Sequence, residues 1–184
     1  MRLSGYWCGM SANLRLELPA EPGSVTRARQ ALEKIAGTLG CDADAVKIAV
    51  SEIVGNAVVH GYERPASGGV VLVLARVLRG RLIVTVADRG GGMTPKIDSP
   101  GLGLGLPIVS QLAGDVRIDS DERGAAVSMS FECDGAGEPG ADSAEDAGSD
   151  LGAELKRARR ALRGDGLARR RFRWSREPAV VLHA

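Results

Sequence analysis

A glycine-rich loop leading into a helix is the first feature of this sequence that could do chemistry. Gly101, Gly103 and Gly105 alternate with leucines in "GLGLGLPIVSQL", and Pro107 falls near the helix start, where proline is tolerated. A helix N-terminus offers unpaired N–H groups and the positive end of the dipole, which favour phosphate. The loop lacks the Gly-Lys-Ser/Thr of a P-loop, and Leu106 replaces the third glycine of GxGxxG. It predicts either a different phosphate-binding loop or a tight loop that packs its leucines.

A carboxylate at a strand end is the second feature. Asp88 follows the apolar run "LIVTVA" and precedes Gly90 and Gly92. Such a carboxylate can accept a hydrogen bond, and the glycines allow close backbone approach or a positive φ. An ordinary Asp-Gly turn has the same pattern, so this segment alone does not identify a site.

The third feature is a polar stripe in "VSEIVGNAVVHGY". Glu52, Asn56 and His60 recur every four residues, which on a helix keeps them on one face with a drift of about 40° per step. A solvent-exposed face is one interpretation, but such faces are usually rich in long charged residues, which are scarce here. The stripe therefore indicates one side of a cleft. His60, at the helix end, is more typical of a structural histidine and is not included in the site.

The elements that position these residues follow from hydrophobic periodicity. The predicted order is strand, helix, helix, two strands, helix and two strands, with Gly40 ending the first helix and Asp42 or Asp44 capping the second. "RGR" predicts the turn of a hairpin. An α+β fold results, with helices on one face of a mostly antiparallel, mixed sheet.

Composition excludes several classes of protein. The net charge of the 184 residues is +1, which predicts neither a general nucleic-acid binder nor a membrane-surface protein. No apolar run is long enough to span a membrane, and we see no secretion signal. Cys8, Cys41 and Cys133 are odd in number and widely spaced, which suggests neither a disulfide framework nor a zinc site and fits a reducing cytosol.

The C-terminal part of the chain has separated charges. Residues 134–150 are acidic and poor in large apolar residues, which predicts a disordered linker. Residues 151–184 form a basic tail, in which Leu151, Leu155, Ala158 and Leu162 could define one short amphipathic helix. Phe172 and Trp174 among the arginines raise a nucleic-acid interpretation. We favour a tail that folds back on the acidic linker or stays solvated, so direct nucleic-acid binding is not expected.

Together, Glu-x3-Asn on a helix, Asp-x-Gly-x-Gly after a strand and GxGxG before a helix resemble the GHKL family of ATP-binding domains. Within it, "AVSEIVGNAVVHGYERP" and "DSPGLGLGLPIVSQLAGDVRI" resemble the anti-sigma regulatory factors, which are serine kinases. The resemblance covers residues 12–133. It implies the Bergerat fold, a two-layer α/β sandwich that holds ATP between helices and sheet under a lid.

The resemblance also implies roles for individual residues. Glu52 corresponds to the general base, and Asn56 to the asparagine that ligates Mg²⁺, which bridges the ATP phosphates. Asp88 corresponds to the residue that accepts a hydrogen bond from the adenine amino group. Two sets of glycines complete the cofactor-binding residues: Gly90 and Gly92 shape the adenine pocket, and Gly101, Gly103 and Gly105 contact phosphates. Lys96, in the short lid, either meets a phosphate or is a solvated lysine.

One departure concerns adenine recognition. The family commonly carries Gly-Thr-Thr near the last strand, where a hydroxyl supports the adenine contact, and this chain has Ala125 and Ala126 there. Losing one buried polar contact costs about 0.5–1.5 kcal/mol, so ATP affinity is expected to fall about three- to tenfold unless water substitutes.

The activity implied is that of an ATP-dependent anti-sigma factor. It would phosphorylate a STAS-domain anti-anti-sigma protein on serine, sequester a sigma factor and act as a homodimer. One alternative is a non-catalytic, nucleotide-gated binding module. Another is an ATPase module related to sensor histidine kinases, which is disfavoured because no dimerisation helix pair with a phosphoacceptor histidine precedes the domain.

Overall fold

The structure, a computed structural model, describes residues 13–61, 68–91, 105–134 and 143–163. Gly92, Lys96, Gly101 and Gly103 lie outside these ranges. The elements are β1 (Asn13–Pro19), α1 (Pro22–Leu39), α2 (Ala43–His60), β2 (Val70–Leu78), β3 (Arg81–Asp88), α3 (Gly105–Leu112), β4 (Asp115–Asp121), β5 (Gly124–Glu132) and α4 (Ser143–Arg163).

The predicted element order and the α+β class are confirmed as far as β5. The strands form one sheet in the order β1-β2-β3-β5-β4. Each pairing among these described strands is antiparallel, so the sheet contains no parallel pair here, unlike the mixed sheet that we predicted. The hairpin between β2 and β3 turns at Arg79 and Gly80, both with positive φ.

Local signals set the ends of α1 and α2. Gly40 adopts the left-handed conformation after α1, with φ 70°, as expected for a helix-ending glycine. Asp42 caps α2, because its carboxylate accepts the backbone N–H groups of Asp44 and Ala45 at 3.0 Å. Both helices then bury their apolar sides against the sheet.

Alternate residues of the strands face opposite sides of the sheet. Val71, Val73 and Ala75 of β2 join the large core beneath α1, α2 and α3, on what we call the front face. Leu72 and Leu74 point the other way, to the back face, and belong to a second, smaller cluster with α4. The predicted two-layer sandwich with helices on one face therefore has a third layer.

The position of α4 corrects the prediction for the C-terminal part of the chain. The predicted disordered linker over residues 134–150 is wrong from Ser143 onward, because α4 starts there and runs to Arg163. Its apolar side is buried on the sheet. The acidic segment has few large apolar residues, and this composition led to the prediction of disorder. Its residues from Ser143 form the first part of a longer helix, which packs against the sheet. The rest of the basic tail lies outside the described residues.

A disulfide joins Cys41 to Cys133, a pairing that the cysteine spacing did not suggest. Cys41 lies between α1 and α2, and Cys133 directly follows β5. The two residues pair as an isolated antiparallel bridge, so the fold places them side by side although 92 residues separate them in sequence.

Within the described residues, none of the helices combines the length and the apolar character needed to cross a membrane.

Candidate functional site

One end of the candidate site is built by α2 and α3. Glu52 and Asn56, one turn apart on α2, are half-buried. Both side chains face Gly105, the first residue of α3: a Cβ placed on Gly105 would lie 2.9 Å from the Glu52 Oε2 and 3.5 Å from the Asn56 Nδ2. A larger residue at Gly105 would therefore enter the space between the start of α3 and the two polar groups.

The other end of the candidate site is built where β3 meets the end of α2. Asp88, the last residue of β3, is only 7% exposed, and its side chain lies on the front face, towards the helices. A Cβ on Gly61, which directly follows α2, would lie 3.2 Å from the Asp88 carboxyl group. Because Gly61 comes five residues after Asn56, the helix spaces the two ends of the site by about 7.5 Å along its axis.

Glycines permit this close approach. A Cβ on Gly90 would lie 1.4 Å from the Gly61 carbonyl oxygen, which no side chain could tolerate. The next residue, Gly91, donates its N–H to that same oxygen at 3.0 Å. Gly61 itself has φ −65°, so it is required here by packing and not by a left-handed turn. In the sequence, Gly61 is recognisable only as a glycine that can end a helix.

The pKa of the Asp88 carboxyl is raised overall by its surroundings. Burial raises the pKa of the Asp88 carboxyl, while hydrogen bonds from the backbone N–H groups of Gly90 and Ala125 and the positive charge of Arg159 lower it. The Gly90 N–H lies 2.8 Å from Oδ1. The Gly90 N–H thus helps to fix the orientation of the carboxylate.

Two residues that the sequence did not identify as part of the site lie at the start of β5 and on α4. Gly124 has φ +126°, and a Cβ on it would lie 2.1 Å from the Asp88 carbonyl oxygen. Arg159 of α4 contacts Gly124 from the back face. A glycine such as Gly124 is typical of a turn between two strands, but nothing local in the sequence connects either residue to Asp88.

The predicted site residues therefore fall into three groups. Glu52, Asn56 and Gly105 come together at one end, and Asp88 and Gly90 meet the end of α2 at the other. The remaining predicted glycines, Gly92, Gly101 and Gly103, lie outside the described residues, as does Lys96. His60 ends α2, and its side chain is outside the description.

Similarity to known proteins agrees with this arrangement. Residues 18–131 match the histidine kinase-like ATPase domain. The serine-protein kinases RsbW of Bacillus velezensis and Bacillus subtilis are 34% and 33% identical over 134 residues, covering 63% of this chain and 82% of each relative. The anti-sigma F factor of Clostridium acetobutylicum is 32% identical over 90 residues.

The extent of these similarities differs. The match to the anti-sigma F factor covers 43% of this chain and 62% of that protein, which is less than two thirds of its length. A crystal structure of RsbU and RsbW domains from Mycobacterium tuberculosis superimposes with a TM-score of 0.53 at 26% identity, covering 66% of this chain and 32% of that one. The chain therefore belongs to the histidine kinase-like ATPase domain family, in the group that contains the RsbW serine-protein kinases.

Proposed function

We propose that this chain is an ATP-dependent serine kinase and anti-sigma factor. Its domain of residues 12–133 phosphorylates a STAS-domain anti-anti-sigma protein on serine and, when released from it, sequesters a sigma factor. The observation that carries the proposal is the convergence of Glu52 and Asn56 on Gly105, with Asp88 held at the end of the same helix. A sigma factor as partner implies action in the cytoplasm, and the protein is proposed to work as a homodimer.

The residues fit a magnesium-bound nucleotide. Gly105 leaves open the space that a Cβ would fill beside Glu52 and Asn56, at the N-terminal end of α3. An amide oxygen and phosphate oxygens are hard ligands of the kind that Mg²⁺ prefers, so Asn56 would help to hold the metal. Backbone N–H groups at the start of α3 would bind phosphate, and Gly101 and Gly103 are proposed to do the same.

Each remaining residue has one task in this proposal. The Asp88 carboxylate accepts a hydrogen bond from the adenine amino group, in a pocket that Gly90 and Gly92 shape. Glu52 takes the proton from the attacking serine hydroxyl, which requires the two groups to reach hydrogen-bond distance. When bound, magnesium-ATP would supply the phosphoryl group with ADP as the leaving group, and the metal would neutralise charge that develops during the transfer.

An ATP titration with and without Mg²⁺ tests the binding site. Wild type should bind ATP more tightly with Mg²⁺, because Asn56 completes the coordination of the ion. Asn56→Ala should lose most of this Mg²⁺-dependent gain while remaining folded. An equal gain from Mg²⁺ in both proteins would contradict the assigned role of Asn56.

Transfer of labelled γ-phosphate to a STAS-domain protein tests catalysis. Glu52→Gln should reduce the transfer rate about 10²- to 10⁴-fold, as expected for loss of a general base, while still binding ATP. Glu17→Gln, an exposed glutamate on β1, is the matched control and should transfer at the wild-type rate. If wild type binds ATP but transfers no phosphate to any candidate partner, the chain is instead a non-catalytic binding module.

A further inference from the structure

The helix α4 adds a layer that the family match does not include. The match ends at residue 131, whereas α4 spans Ser143–Arg163. Leu155, Ala158 and Leu162 of α4 pack on the back face, against residues of β2, β3 and β5. This contact brings the C-terminal half of α4 to the end of the sheet where Asp88 lies.

Arg159 is the polar centre of this contact. It is 9% exposed, although arginine rarely becomes so buried without partners. Its Nη1 lies 2.9 Å from an Asp119 carboxylate oxygen, and its Nη2 donates to Asp121. The same Nη2 lies 3.4 Å from the carbonyl oxygen of Gly124. One guanidinium therefore holds the end of β4 and the first residue of β5 together.

The start of β5, which Arg159 contacts, also supports Asp88. Gly124 packs against the Asp88 main chain, and the backbone N–H of the next residue, Ala125, lies close enough to the Asp88 carboxyl to lower its pKa. Since Ala125 and Ala126 have no side-chain donor, β5 reaches this carboxylate only through its backbone. The position of that backbone is set in part by Arg159, which also lines a cavity of about 360 Å³ together with Asp88.

We propose that Arg159 is a positioning residue for adenine recognition, acting from α4 through Gly124 and Ala125 to orient the Asp88 carboxylate. The inference rests on the proposed binding of ATP to this site. It makes the specificity of the ATP-binding domain depend on a helix outside it. Loss of Arg159 should impair recognition of the adenine amino group more than binding of the triphosphate, which lies at the α2–α3 end.

The test compares the affinities of ATP and inosine triphosphate, which lacks the amino group. Both are measured by calorimetric titration with Mg²⁺ on the full chain. Wild type should prefer ATP, and Arg159→Gln should lower the ratio of the two affinities about three- to tenfold, the equivalent of one hydrogen bond. A protein that is merely less stable loses affinity for both nucleotides and keeps the ratio.

Two further variants complete the design. Arg160→Gln, an exposed arginine on the same helix turn, is the control and should keep the wild-type ratio. Arg159→Lys retains the charge but not the planar group that reaches Asp119, Asp121 and Gly124 together, so its ratio should be intermediate. An unchanged ratio in folded Arg159→Gln, or in Arg159→Lys should the first variant not fold, overturns the inference. Failure of wild type to bind or prefer ATP would instead overturn the proposed function.

Discussion

The two faces of the sheet are covered in different ways. On the front face, α1 and α2 bury a large apolar core, and the Cys41–Cys133 disulfide links the junction between these helices covalently to the end of the sheet. On the back face, α4 covers a cluster of a few apolar side chains and adds charge pairs. Arg159 pairs with Asp119 and Asp121, and Glu154, 4% exposed in its side chain, lies 2.6 Å from Arg76.

We therefore expect the front layer to determine mainly the stability of the domain, and the back layer to act mainly on the nucleotide specificity of the site. The front layer holds Glu52 and Asn56 on a helix whose core-facing side is buried, so damage there should destabilise the whole domain. The back layer is smaller, and hydrophobic stabilisation scales roughly with the apolar area buried. Damage there should act first on the docking of α4, and on the site only through the turn at Gly124.

Removing the disulfide should give the largest effect on stability. The double variant Cys41→Ser/Cys133→Ser releases a loop of 92 residues in the unfolded chain. The chain-entropy model gives about 4 to 5 kcal/mol of lost unfolding free energy for a loop of this size. Urea unfolding of the oxidised protein and the variant measures the difference.

Reductant supplies the control for this experiment. It should lower the unfolding free energy of wild type to that of the double variant and leave the double variant unchanged. Cys8→Ser should behave as wild type with and without reductant, because it leaves the Cys41–Cys133 pair intact. Equal stability of oxidised and reduced wild type would contradict the covalent link between helices and sheet.

Matched leucine truncations compare the two faces directly. Leu32 of α1 is fully buried in the front core, and Leu155 of α4 is 6% exposed on the back face. Leu32→Ala should cost about 3 kcal/mol or more. Leu155→Ala should cost less than about 2 kcal/mol, because α4 can undock locally and limit the loss. Urea unfolding gives both values, and hydrogen exchange should show faster exchange confined to α4 in Leu155→Ala. Equal costs would mean that the two layers unfold as one unit.

The front layer could be predicted because its signals are local. The four-residue spacing of Glu52 and Asn56 among apolar residues fixes their shared face on α2 before any tertiary contact is known. Gly40 and Asp42 mark helix ends by conformations and caps that involve only neighbouring residues. The resemblance then connected this helix to Asp88 and the glycine loop.

The back layer could not be predicted because its contacts join distant residues. The spacing of Leu155, Ala158 and Leu162 indicates an amphipathic helix, but not which surface it covers. Arg159 occurs in a basic run that is typical of a solvated tail, and only the fold brings it to Asp121, 38 residues earlier. The pairing of Cys41 with Cys133 is equally non-local.

Asp88 is influenced from both faces, and its titration gives the smallest effect that we predict. Burial raises the pKa of its carboxyl in the folded state, so over the range above the ordinary value the folded protein binds more protons than the unfolded chain. The contribution of the protonated Asp88 carboxyl to the unfolding free energy is fully present below its ordinary pKa. This contribution is lost as pH rises through the raised pKa. The unfolding free energy of wild type should therefore fall across this range relative to Asp88→Asn, which has no such proton to lose.

Urea unfolding at a series of acidic to neutral pH values measures this difference between wild type and Asp88→Asn. Since all other carboxylates are common to both proteins, their titration cancels in the comparison. Adding Arg159→Gln should widen the difference, because the positive charge that lowers the pKa of Asp88 is removed from the back face. Parallel pH profiles for wild type and Asp88→Asn would show that the carboxyl titrates as it does in the unfolded chain. The turn at Gly124 would then not enclose it as the structure describes.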